Sequence, residues 1–166
     1  MTTRRLLAAG AGAMTFALCA FVLHLSPLTL VRLTLFGAAL GAVVESDLGE
    51  RRIPNRIVIP AAAACAAAWA ASGIALFALV EGFVLVGALL ALSLVRPEAL
   101  GMGDVKLALL LVLGLDGRAV VALSVALALA AAFGLLLFLR FGRAAASRKL
   151  PLAPFLAVGA LIALIA

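Results

Sequence analysis

The chain is organised as long apolar runs separated by short polar breaks. Runs long enough to span a bilayer extend from Leu6 to Leu23, Leu28 to Val44, Ile57 to Ala71, Ile74 to Val95, Ala119 to Leu139 and Leu150 to Ala166. A further run, Val105 to Leu115, is short: at ~1.5 Å per residue it covers about half of a ~30 Å hydrocarbon core. The breaks carry turn and cap chemistry: Ser26-Pro27, Pro54-Asn55, Ser72-Gly73, Gly101 to Asp104, Asp116-Gly117, and Pro151 with Pro154 at the start of the last run. The pattern predicts an all-α, polytopic integral membrane helical bundle with six long helices and one short one. It forms a single membrane domain over 1–166, in which residues 1–27 make an additional N-terminal helix and residues 28–166 the core.

Composition excludes a soluble alternative. Hydrophobic residues make up 67% of the chain and charged residues 12%, far from the mix that covers a water-soluble domain, whereas helices facing lipid tolerate apolar side chains on every face. The net charge of +6 does not point to nucleic acid, because the basic residues fall in short breaks between apolar runs, where they act as topology signals towards membrane lipid. Arg4 and Arg5 followed by an apolar run resemble the opening of a signal peptide. The run is of spanning length and more membrane segments follow, so an uncleaved first helix is expected. Cys19 and Cys65 lie in separate runs with no CxxC spacing, which suggests packing residues; neither a metal site nor a cofactor is expected.

The basic residues also set the orientation, since they accumulate on the cytoplasmic side. With the N-terminus inside and every run crossing, Arg4, Arg5, Arg51, Arg52, Arg56, Arg96, Lys106, Arg140, Arg143, Arg148 and Lys149 are cytoplasmic, and only Arg32 and Arg118 lie outside. The parity requires Val105 to Leu115 to cross despite its length. If the deficit lies at its start, Asp104 sits at membrane depth, where an ionisable group is costly and is usually retained for function.

Five of the seven acidic residues fall in two cytoplasmic-side regions: Glu45, Asp47 and Glu50 where one helix emerges, Glu98 and Asp104 where another enters. Two carboxyl groups carried by different helices can share a proton, one acting as base on water while the other polarises a carbonyl, which is the chemistry of peptide hydrolysis. Gly101 and Gly103 suit such a site because a missing Cβ lets a substrate backbone approach Asp104. The pattern alone does not choose among Glu45, Asp47 and Glu50.

The stretches Asp47 to Asn55, with its Ile53-Pro54-Asn55 element, and Gly101-Met102-Gly103-Asp104-Val105-Lys106-Leu107 resemble the two signature motifs of type IV prepilin peptidases, a family of GxGD aspartyl proteases. A third stretch, Lys149-Leu150-Pro151-Leu152-Ala153-Pro154-Phe155-Leu156 with Gly159, is similar to the start of that family's last helix. The resemblance covers about residues 30 to 166. It implies a membrane-embedded endopeptidase whose catalytic pair is Asp47 and Asp104, with Gly101, Gly103, Lys106, Ile53, Pro54 and Asn55 as supporting motif residues. It further implies a prepilin or pseudopilin precursor as partner, cut at the inner face of the cytoplasmic membrane. The chain has no CxxC-bearing region of the kind that bifunctional members use for methylation, and so resembles the short Flp/Tad form, which cleaves without methylating.

Other readings compete at each position. Asp104 also reads as the N-cap of the short helix, and Asp47 as a solvated loop carboxylate among three arginines. Arg51, Arg52 and Arg56 read as anchors, Lys106 as snorkelling or as a charge biasing the acids, and Pro54 and Asn55 as a break and recap between helices. Glu81, deep in its run, is expected nearer the outer face, bonded to a neighbouring helix, and His24 is expected at the outer interface. At the level of the whole protein, the alternatives are a small proton- or ion-coupled transporter using Asp47, Glu81 and Asp104, a structural membrane subunit, and a GxGD protease of the presenilin kind.

Overall fold

A computed structural model describes residues 2–73, 75–96, 101–142 and 150–166. Seven helices account for nearly all of them: α1 (Thr3–Val22), α2 (Pro27–Glu50), α3 (Asn55–Ser72), α4 (Leu76–Val95), α5 (Met102–Leu115), α6 (Ala119–Phe141) and α7 (Ala153–Ile165). Among the described residues there is no strand. Four helices, α1, α2, α4 and α6, are long and apolar enough to cross a bilayer, and α7 is a shorter apolar helix. Large apolar side chains point outwards, among them Phe77, Phe83, Leu94 and Leu139. The protein is therefore a membrane protein of the predicted all-helical class.

Local chemistry sets most of the boundaries. Ser26 caps α2, its Oγ accepting the Thr29 N–H at 3.3 Å, and Pro27 occupies the first turn, where no N–H is missed. His24 closes the preceding turn in the left-handed region, at φ 51°. Asp116 (φ 50°) and Gly117 (φ 81°) end α5 in the same way. Two boundaries differ from the sequence expectation. The last helix begins at Ala153 rather than Leu150, since the two prolines at 151 and 154 defer it. More consequentially, α2 continues past Val44 to Glu50, which converts the polar stretch bearing Asp47 from loop into helix.

Successive helices alternate in direction, and side-chain contacts identify the two ends of the bundle. At one end lie the last turn of α2 and the first turns of α3, α5 and α7, with Asp47. At the other lie Trp69, Glu81, Asp116 and Arg118. The short α5 runs from the first end to the second. It is held between α3 and α4 and packs on α2, while α2 itself touches α1, α3, α5 and α7. The core is the meeting of α2 and α5: Phe36 is fully buried and its ring lies directly over Gly114, where a Cβ would have no room. Small residues likewise allow α6 and α7 to touch, Gly159 lying against the Ala122 carbonyl.

The Asp116 end is tied by polar bonds. Arg32, predicted as an exposed topology signal, is instead only 3% exposed, and its Nη2 donates to Asp116 Oδ2 at 3.3 Å. Trp69 Nε1 donates to the other oxygen of the same carboxylate at 2.7 Å. Arg118 Nη1 donates to the Leu164 carbonyl at 2.7 Å, satisfying an end of α7 that has no helical partner. Glu81 Oε1 accepts the Val120 N–H at 2.8 Å, the helix-to-helix bond expected of it, and so caps α6.

Removing one member of a buried ion pair leaves the other uncompensated, whereas replacing both by neutral groups is often tolerated. Asp116→Ala is expected to lower stability in detergent by about 2–3 kcal/mol, below the ~3–5 kcal/mol cost of breaking a fully buried pair because this carboxylate is partly exposed. The Arg32→Met/Asp116→Asn double variant should recover most of that loss, since Asn keeps both the left-handed conformation and an acceptor for Trp69. Thermal unfolding of the purified variants checks both.

Candidate active site

Asp47 lies in the last turn of α2 and is 8% exposed, so the solvated-loop reading does not hold. Its Oδ2 accepts the N–H of Ala153, 106 positions further on, at 2.9 Å. The first N–H groups of a helix have no partner within it, and Pro151 and Pro154 place this one at the very start of α7. Asp47 thus caps α7 from another helix. It serves the start of a helix distant in sequence, a role that the sequence reading did not offer it.

Asp104 stands in the first turn of α5, three residues beyond the cap position Gly101, to whose carbonyl its own N–H donates at 3.0 Å. Its carboxylate in turn accepts from the Gly101 backbone N–H, a reciprocal bond at the start of α5. The side chain is partly buried on the side of α5 that faces α2, and the Asp104 and Asp47 carboxyl groups are close enough for the charge of one to act on the other. The two acids therefore sit on separate helices at one end of the bundle.

The remaining motif residues join these helices. Ile53 packs on Gly103 so tightly that a Cβ there would stand 3.2 Å from Ile53 Cδ1 and 3.3 Å from its Cβ. Lys106 Nζ donates to Asn55 Oδ1 at 3.0 Å, which fixes it across the α3–α5 contact instead of leaving it to snorkel. Since Asn55 is engaged in this way, the recapping expected of it falls to the backbone: Pro54 holds the cap position of α3 with no side-chain cap, and its carbonyl accepts the Ile57 and Val58 N–H groups. Arg51 takes the left-handed conformation that ends α2 (φ 50°), its N–H donating to the Asp47 carbonyl at 3.1 Å. Ser46, 1% exposed, donates from Oγ to the Arg52 carbonyl at 2.9 Å and closes the turn behind Asp47. Gly101 lies beside Asp104 with open space around it except for that carboxylate, 3.5 Å from where its Cβ would be.

All three polar stretches singled out in the sequence thus converge on one place, through Asp47 to Ala153, Gly103 to Ile53, and Lys106 to Asn55. Ser46, Ala153 and Arg5, which pairs with Glu45 and Glu50, were not anticipated. A free N–H between two prolines, Pro151 and Pro154, was the available signal for Ala153, and nothing local marks the other two. Glu81 is at the far end of the bundle and does not join Asp47 and Asp104. Glu98 and Lys149 lie outside the described residues. Among the described residues no three His, Cys, Asp or Glu side chains gather as metal ligands.

Two carboxyl groups borne by separate helices at one end of an apolar helical bundle, near enough for their charges to interact, define a membrane protein with a candidate acid pair. The sequence profile of the type IV leader peptidase family matches residues 34–139, and the chain belongs to that family. The match runs from the second turn of α2 almost to the end of α6 and includes both aspartates. No curated protein and no solved structure matches the chain significantly. Membership makes the protein a peptidase, with leader-bearing pilin precursors as its general substrate class.

The Gly103 contact gives a direct test of how the site is held. Gly103→Ala is expected to push Ile53 away and to reduce precursor cleavage about tenfold, as sub-ångström misplacement of reacting groups does. Ile53→Ala in the same chain should restore part of the activity, measured as initial rates at equal amounts of membrane-inserted protein.

Proposed function

We propose that the protein is an aspartyl endopeptidase of the GxGD type which removes the cytoplasmic leader of type IV pilin-like precursors with Asp47 and Asp104 as the catalytic pair. The observation that carries this is the Coulombic proximity of two carboxyl groups borne by α2 and α5 at the same end of the bundle. In the reading offered, the pair shares one proton. The ionised member takes a proton from water as the oxygen adds to the scissile carbonyl carbon, and the protonated member gives its proton to the carbonyl oxygen. Collapse of the tetrahedral adduct re-forms the carbonyl and breaks the C–N bond, with a proton passing to the leaving amine. Water is thereby divided between the two products, and the acids return to their starting state.

Gly101 suits the approach of an extended substrate backbone to Asp104, whereas the space at Gly103 is taken by Ile53, so that glycine serves packing. Lys106, Asn55, Pro54 and Ile53 hold α5 against α3 and the α2–α3 link, and so fix the separation of the acids. The predominance of basic residues at the Asp47 end, including Arg5, Arg51, Arg52, Arg96 and Arg140, supports a site on the cytoplasmic face of the inner membrane with the N-terminus inside. A hydrophilic leader followed by an apolar membrane helix would reach it there.

Asp47→Asn and Asp104→Asn are each expected to abolish processing of a co-expressed precursor, followed by gel mobility, while membrane insertion persists. Asparagine retains an acceptor for the Ala153 N–H, so loss of activity in Asp47→Asn would reflect the lost acid and not a lost cap. Normal processing by either variant would remove the paired-acid mechanism. Normal processing by both would return the transporter and structural-subunit alternatives to consideration.

A further inference from the structure

We infer that α1 is a brace on the rear of the α2 segment bearing Asp47, and that Arg5 is a positioning residue which keeps the last turns of α2 helical by bridging Glu45 and Glu50. The inference rests on the peptidase reading only for its consequence in turnover.

The last three turns of α2, Gly41 to Glu50, contain two glycines, a serine and three carboxylates, with no basic residue. Glycine weakens a helix by roughly 0.5–1 kcal/mol relative to alanine, and carboxylates at the negative end of the helix dipole weaken it further. By local preference this segment should fray, and the apolar run itself ends at Val44. In the structure it is helical to Glu50, and Asp47 is fixed in space only because it is.

What opposes fraying on the rear face is α1. Gly37, Gly41 and Glu45, spaced one turn apart, form one stripe of α2. Gly41 lies against the Ala8 carbonyl, and Gly12 against that of Gly37, so closely that no Cβ fits at either glycine. These contacts step in opposite directions along the two helices, and the antiparallel register they set brings Arg5 opposite Glu45. Arg5 Nε donates to Glu45 Oε2 at 3.0 Å and Nη2 to Glu50 Oε1. One guanidinium fork thus spans two carboxylates five positions apart, which an ammonium on a flexible stem does not do with fixed geometry. The Arg5 side chain is 18% exposed, so the pairing is not a fully solvated one. Asp47 points to the other side of α2, towards α7 and α5. Arg5 therefore acts through the helix and not on the reacting groups. The family match begins at residue 34 and does not include α1.

The test compares wild type, Arg5→Ala, Arg5→Ala/Thr3→Lys, and Arg5→Ala/Glu45→Gln/Glu50→Gln in the full chain, reading precursor cleavage rates and hydrogen–deuterium exchange over residues 42–52. Arg5→Ala should lower kcat about tenfold with KM little changed, and exchange over 42–52 should quicken severalfold. The triple variant, in which no carboxylate repulsion remains to be bridged, should recover both. Recovery by Thr3→Lys, which restores only the N-terminal charge, would show a topological role and overturn the inference. So would Arg5→Ala with exchange unchanged from wild type. If wild type itself fails to cleave, the peptidase reading falls, while the exchange measurement still decides the role of Arg5.

Discussion

A carboxylate taken out of water must have its oxygens met by donors, and at Asp47 the donor is the Ala153 N–H at the start of α7. This bond serves two groups that a bilayer leaves without partners: a buried acid and the first amide of a helix. It also closes the bundle, because it joins α2, near the beginning of the chain, to the last helix. The placement of α5 and Asp104 against α2 then follows from packing around that junction, with Ile53 on Gly103 and Phe36 over Gly114 setting the distance.

The two ends of the protein use polar groups differently. At the Asp116 end, Arg32, Trp69, Arg118 and Glu81 are engaged with partners on other helices, so that end is a set of ties. At the Asp47 end, Lys106, Ser46 and Arg5 are likewise engaged, and Asp104, bonded to the Gly101 backbone, lies within reach of the charge of a second acid. Two acids brought near each other between apolar helices are costly, which is why the functional reading concentrates there. The glycines divide by the same logic: Gly12, Gly37, Gly41, Gly114 and Gly159 bring helices into contact, whereas Gly101 borders open space beside a carboxylate.

Much of this could be read from the order of residues. Apolar runs of spanning length leave a chain in a bilayer no option but helices, since each backbone amide must be bonded within its own segment. The three polar stretches, through their resemblance to a peptidase family, pointed to the residues that the structure brings together and to the family that the profile match establishes.

What required the tertiary structure was every property that depends on a partner distant in sequence. Local preference ends α2 at Val44, and only α1, Ser46 and Ala153 together carry it to Glu50. A lone Arg32 between apolar residues reads as a surface cation until Asp116, 84 positions away, is placed beside it. Asp47 caps a helix because the amide in need, that of Ala153, lies 106 positions away at the start of α7. The sequence by itself determined the class of fold and, through its motifs, the family, since hydrophobic transfer acts segment by segment. The tertiary structure alone decided which of those residues are buried, which are bonded and which remain free, because a hydrogen bond between helices exists only once both have been packed.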